Sequence, residues 1–105
     1  MPESVRILGI DPGSRFTGYA VIDAVGADAG VVAHGVLKLP QKQPVTERLK
    51  LLDTLLRELV DEYRPDELVV EEAFAAVNVR SALVLGQVRG VVIVAAGAAC
   101  PVFEY

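Results

Sequence analysis

A chain of 105 residues, 52% of them hydrophobic, holds one domain with one core and is too apolar for a disordered segment. Ten Lys and Arg against 14 Asp and Glu give a net charge of −4, which argues against a self-sufficient nucleic-acid binder with basic charge throughout. The single cysteine, Cys100, excludes an internal disulfide and fits a reducing compartment, and its small apolar neighbours predict a buried, inert thiol.

The opening MPESVR has no extended apolar stretch, so no signal peptide is expected. Val5–Asp11 (VRILGID) is a run of branched apolar residues, the pattern of a strand buried on both faces, and it ends on a carboxylate. Such a charge costs free energy unless something meets it, so Asp11 is either a turn residue facing water or a group facing a cation. Pro12-Gly13 supply a turn, proline through its fixed φ and glycine through its tolerance of positive φ. Phe16–Ala24 and Val31–Leu37 read as two further strands, with Gly26–Gly30 turning the chain between them, so the first three strands form an antiparallel meander. Thr17 and Tyr19 are expected to pair across the hairpin. Ser14 and Arg15 are either turn residues or contacts to a backbone or phosphate. His34, with no His or Cys partner, is expected to be structural or solvent-facing.

Leu39–Val45 is a loop with two prolines. From Thr46 to Tyr63 the period becomes helical, with Leu49, Leu52, Leu56, Leu59, Val60 and Tyr63 on one face. Pro44 suits its first turn and Arg64-Pro65-Asp66 ends it. ELVVEEAF (Glu67–Phe74) reads as a fourth strand that, like the first, runs into carboxylates. Asn78 is the expected cap of a second helix running to about Ala99. On it Ala82, Gly86 and Gly90 recur every four residues, a stripe that lets another backbone approach, either that of its own sheet or that of a helix in a second subunit. Glycine inside a helix costs about 1 kcal/mol relative to alanine, so close packing is a reason for it to be there. The most apolar run, Gly90–Cys100, starts beside Arg89 and is too short to span a bilayer, and a cytoplasmic protein is expected. Pro101–Tyr105 open a fifth strand.

A crossover through the first helix lays the first and fourth strands side by side and parallel, with their C-terminal ends on the sheet edge where α/β proteins place their chemistry. Asp11 and one of Glu71 or Glu72 then stand together. Adjacent carboxylates repel unless a cation lies between them, and oxygen ligands without His or Cys suit Mg²⁺ or Mn²⁺ and phosphodiester chemistry. Two solvated strand ends are the plainer alternative.

Four stretches, ILGIDPGSRFTGYAVID, LVVEEAF, NVRSALVLGQVRGVVIVAA and PVFEY, resemble in register the RuvC family of Holliday-junction resolvases. The GIDPG segment alone is shared with actin-like kinases and YqgF-type proteins, whereas SALxLGQxRG at this distance from it is specific. The resemblance implies an α/β, ribonuclease H-like fold, a mixed five-stranded sheet in the order 3-2-1-4-5 with flanking helices. It also implies a homodimeric, Mg²⁺-dependent endonuclease (Mn²⁺ as substitute) that makes paired symmetric nicks in four-way DNA junctions with RuvA and RuvB. Asp11 and Glu71 match the family's catalytic, metal-holding acids, which selects Glu71 over Glu72. Phe74 matches an aromatic that engages junction bases, and the Asn78–Ala99 helix, with Ala82, Gly86 and Gly90, matches the dimerising element. Family members run well past this point, with basic DNA-gripping residues and two further aspartates. Residues 1–105 are therefore expected to be a single nuclease domain cut after its fifth strand, weak or inactive alone. A non-enzymatic, dimerising or junction-binding module is the alternative. A phosphotransferase of the actin and sugar-kinase kind would need further glycine-rich phosphate loops and a second domain.

Overall fold

The computed structural model describes residues 3–72 and 78–105. Five strands, numbered along the chain, form one sheet in the order 3-2-1-4-5, as the resemblance implied. Strands β1 (Ser4–Asp11), β2 (Phe16–Val25) and β3 (Asp28–Lys38) make the predicted antiparallel meander. The turn between β2 and β3 is tighter than the sequence suggested, because Gly26 takes a φ of 60° and reverses the chain at once, so β3 starts at Asp28. Thr17 and Tyr19 pair across this hairpin with Leu37 and Gly35.

Helix α1 (Val45–Tyr63) ends at Arg64, whose φ of 49° breaks the helical path just before Pro65. It leads into β4 (Glu67–Val70), parallel to β1. The strand is shorter than predicted, and the rest of that expected strand, from Ala73 through Phe74, lies outside the described residues. Helix α2 (Val79–Ala96) is capped by Asn78, whose side chain accepts a hydrogen bond from the Ser81 amide at 2.9 Å. It stops at Ala96, before the expected Ala99. Strand β5 (Val102–Glu104) adds parallel to β4.

The core lies on one face of the sheet. Leu8, Ile10, Val21, Leu68 and Val70 point to that side and meet Leu52 and Leu56 of α1 and Val88, Val92, Ala95 and Ala96 of α2. The alternate strand residues Ile7, Gly9, Ala20 and Val69 are only half-buried, and Phe16, Val36 and Phe103 are exposed, so no described element covers the other face. By length and composition α2 could cross a membrane, which the shorter Gly90–Cys100 run concealed. Its apolarity has a different use, because one side is buried in the core and Arg89 is ion-paired to Glu104 at 3.0 Å. Cys100 is half-buried rather than fully buried, and desolvation, helped by Asp66 and Glu67, pushes its thiol pKa up, consistent with an inert group.

The end of the sheet farthest from Asp11 is pinned by Arg6, which donates to both Asp23 carboxylate oxygens, at 2.8 and 2.9 Å, and to the Tyr63 carbonyl at 2.9 Å. The hydrogen bond from Arg6 holds the Asp23 carboxyl below its usual pKa, outweighing the upward push of desolvation. A depressed carboxylate stabilises the fold fully above its unfolded pKa of about 3.9, and that contribution is lost as the pH falls through the lower, folded value. Asp23→Asn is accordingly expected to lower the melting temperature at pH 7, with the gap to the parent closing as the pH falls below the ordinary carboxylate range. A gap independent of pH would refute the assignment.

Candidate active site

Parallel register makes the two strand-end acids neighbours. Ile7 lies opposite Glu67 and Ile10 opposite Val70, and the Glu71 amide donates to the Ile10 carbonyl at 3.0 Å. One residue further along each chain stand Asp11 and Glu71. Neighbouring strands are about 4.8 Å apart, so the backbones of Asp11, the last residue of β1, and Glu71, the first after β4, lie side by side. The Glu72 amide turns the other way, donating to the Tyr105 carbonyl at 2.7 Å.

Ile10 and Val70 face the helices, so Asp11 and Glu71 project from the opposite, uncovered face at its C-terminal edge. Asp11 is exposed and Glu71 half-buried, an arrangement open to a ligand as large as a nucleic-acid strand. Opposite Asp11 in β2 is Gly18, where an added Cβ would come within 3.8 Å of the Asp11 Cβ. Glycine at this position leaves the flank of the carboxylate free, the use of strand glycine where something must approach closely.

The turn after Asp11 is held by Thr17, which is fully buried. Its hydroxyl donates to the Gly13 carbonyl at 3.1 Å and accepts from the Gly13 amide at 3.3 Å. Position 17 showed only strand pairing in the sequence, because this role depends on the turn bringing Gly13 back over β2. Thr17→Val keeps the shape and removes both bonds, and is expected to cost about 1–3 kcal/mol in denaturant unfolding. An unchanged midpoint would show that the hydroxyl does not brace the turn.

Two adjacent carboxylates with oxygen donors suit a hard divalent cation. Among the described residues no group of three or more His, Cys, Asp or Glu side chains is arranged to hold a metal ion. Phe74 lies outside the described residues. Ala82, Gly86 and Gly90 are on α2, all exposed, and a Cβ added at Gly86 or Gly90 would meet nothing within 4 Å. The stripe therefore does not pack against its own sheet, which removes one of its two readings.

The family described as crossover junction endodeoxyribonuclease RuvC matches residues 7–105. The RuvC of Neisseria meningitidis serogroup B is 45% identical, over 100% of this chain and 60% of its own length. Among solved structures, Thermus thermophilus RuvC in complex with a Holliday junction substrate aligns with a TM-score of 0.85 at 31% identity, covering 96% of this chain and 64% of that one. The yeast mitochondrial Holliday junction resolvase Ydc2 aligns at 0.72 with 16% identity over 99% of this chain and 51% of its own, a likeness of fold alone. The sheet order and these matches make the fold ribonuclease H-like. The chain spans about 60% of the length of the curated relatives it matches.

Proposed function

The chain belongs to the RuvC family of crossover junction endodeoxyribonucleases, and we propose that it carries half of the catalytic site and the dimerising helix of a Holliday-junction resolvase. The observation that carries this reading is the register that sets Asp11 beside Glu71 on the open face of the sheet edge. In the reaction water attacks the junction phosphorus, the P–O bond to one bridging sugar oxygen breaks, and that oxygen leaves with a proton. Asp11 and Glu71 would hold Mg²⁺, or Mn²⁺ in its place, which supplies Lewis acidity to the phosphoryl group and lowers the pKa of water. The carboxylates do the positioning, since their strands are locked to one another by ladder hydrogen bonds. Residues beyond Tyr105 would complete the shell and the domain that residues 1–105 begin, which leaves this chain alone weak or inactive.

Phe74, three residues past Glu71, would stack on an unpaired junction base, worth about 1–3 kcal/mol. A second copy would dock on α2, where exposed Val79, Leu83 and Val94 lie along the same side as Gly86 and Gly90. Beside them a groove of about 690 Å³ between α1 and α2 is lined by Leu49, Gln87, Val91 and Val94. A two-fold dimer matches a junction of approximate two-fold symmetry, one site per opposed strand. RuvA and RuvB are the partners that the family reading brings, and the cytoplasm its location.

The test is strand-resolved cleavage of a four-way junction in Mg²⁺. The chain extended past Tyr105 with the sequence its relatives carry should nick two opposed strands at matching positions, and linear duplex should remain intact. Equal cutting of duplex would contradict junction resolution. Because only two clustered acids are described, a non-enzymatic junction-binding module is the second reading; binding by the extended chain without any nick would favour it.

A further inference from the structure

The charge of this chain is segregated in a way its net value of −4 conceals. Glu58, Asp61, Glu62, Asp66 and Glu67 gather at the end of the sheet away from Asp11. At the Asp11 end, residues 12–16 and 38–46 contain no acid at all, and they carry Arg15, Lys38 and Lys42. All three are exposed. Among the described residues none of the three is in a salt bridge, whereas Arg6, Lys50, Arg57 and Arg89 each are.

The two segments form one built surface. The Leu39 amide donates to the Arg15 carbonyl at 2.9 Å. The Gln41 side-chain amide donates to the carbonyls of Leu39 at 3.0 Å and Ser14 at 3.3 Å, and Arg48 of α1 donates to Gln41 Oε1 at 3.3 Å. Lys38 pairs with Phe16, which lies on the same face of β2 as Gly18, the partner of Asp11. The Lys38 backbone thus sits two strands across and two residues along from Asp11, about 12 Å away. Phosphates recur about every 3.4 Å of axis along one strand of a duplex, so that distance is about three or four nucleotides.

We propose that Arg15, Lys38 and Lys42 form a phosphate-binding ridge that grips the backbone of the DNA strand leading into the Asp11–Glu71 edge, a role that rests on the resolvase reading. The ridge places Lys38 on the open face beside the acids, with Arg15 and Lys42 at the same end of the sheet, and compensates locally for the acidic balance of the chain. DNA is the occupant it fits, because its cations are spaced along one edge and lack acidic partners.

The test is the salt dependence of binding of the Met1–Tyr105 chain to a synthetic four-way junction, titrated with KCl. Arg15→Gln/Lys38→Gln/Lys42→Gln is compared with Lys50→Gln/Arg57→Gln/Arg64→Gln, which changes the net charge equally on the other side of the molecule, and circular dichroism melts check that both fold. Each phosphate contact contributes about 0.9 to the slope of log K against log salt, so the ridge variant is expected to lose roughly 2–3 from it and the control almost nothing. A parent that binds with a slope unmoved by the ridge variant would overturn the ridge and leave the resolvase reading standing. Equal losses in both variants would also overturn it, as an effect of net charge alone. A parent that binds no junction at low salt would likewise overturn the ridge, while the resolvase reading, which is tested by nicking with the extended chain, would stand.

Discussion

Asp11→Asn is expected to slow junction nicking by the extended chain about 10²–10³-fold, the scale on which removing one preorganised electrostatic group acts. Asparagine keeps the size of the side chain and its backbone ladder, so β1 still pairs with β4 from Ile7 to Ile10. What is lost, on the proposed reading, is one of the two charges that would hold the cation. The substitution also removes a negative charge from the surface that meets phosphates, so junction affinity should be unchanged or somewhat tighter. Rate and affinity therefore move apart, which a folding defect would not produce. Cleavage at the parental rate would remove Asp11 from the catalytic site.

The second large effect concerns α2. Gly86→Glu with Gly90→Glu is expected to weaken dimerisation by at least about 100-fold while making the separate chain more stable, because the two roles of these positions pull in opposite directions. In the isolated fold both sites face open space, and glycine is disfavoured in a helix by roughly 0.5–1 kcal/mol, so each substitution should raise the melting temperature of a monomer. Across a two-fold axis each new carboxylate would meet its own symmetry mate, and like charges brought together in an interface cost several kcal/mol. Sedimentation velocity over a concentration series reads the association, and thermal melts read the fold. A dimer constant equal to the parent's would place the interface elsewhere, and a lowered melting temperature would show that the stripe packs within its own chain.

The meander and α1 were legible because their signals are local. Branched runs separated by Pro12-Gly13 and by the Gly26 turn specify three strands, and the Leu49, Leu52, Leu56, Leu59 spacing specifies which side of α1 is buried. Helix α2 was legible as a helix but not in its orientation. It is apolar all round, so the pattern could not separate the buried side, Val88, Val92, Ala95 and Ala96, from the exposed Val79, Leu83 and Val94. The candidate acids were visible as strand ends, yet their placement on the face opposite the helices follows from the Ile10–Val70 register, which is tertiary information. The acid-free segments around Arg15 and Lys42 could be read one at a time. Only the return of β3 alongside β2 shows that they form one surface.

The central claim is that Asp11 and Glu71 act as one cation site, and Mn²⁺ binding to the Met1–Tyr105 chain, followed by calorimetry for the parent, Asp11→Asn, Glu71→Gln and the double variant, tests it most directly. Each single substitution should weaken Mn²⁺ at least tenfold, and the double variant should lose little more than either, because one missing ligand already disables a shared site. Single variants that bind Mn²⁺ as the parent does would contradict the claim. So would losses that simply add, because they would mean two independent strand-end carboxylates.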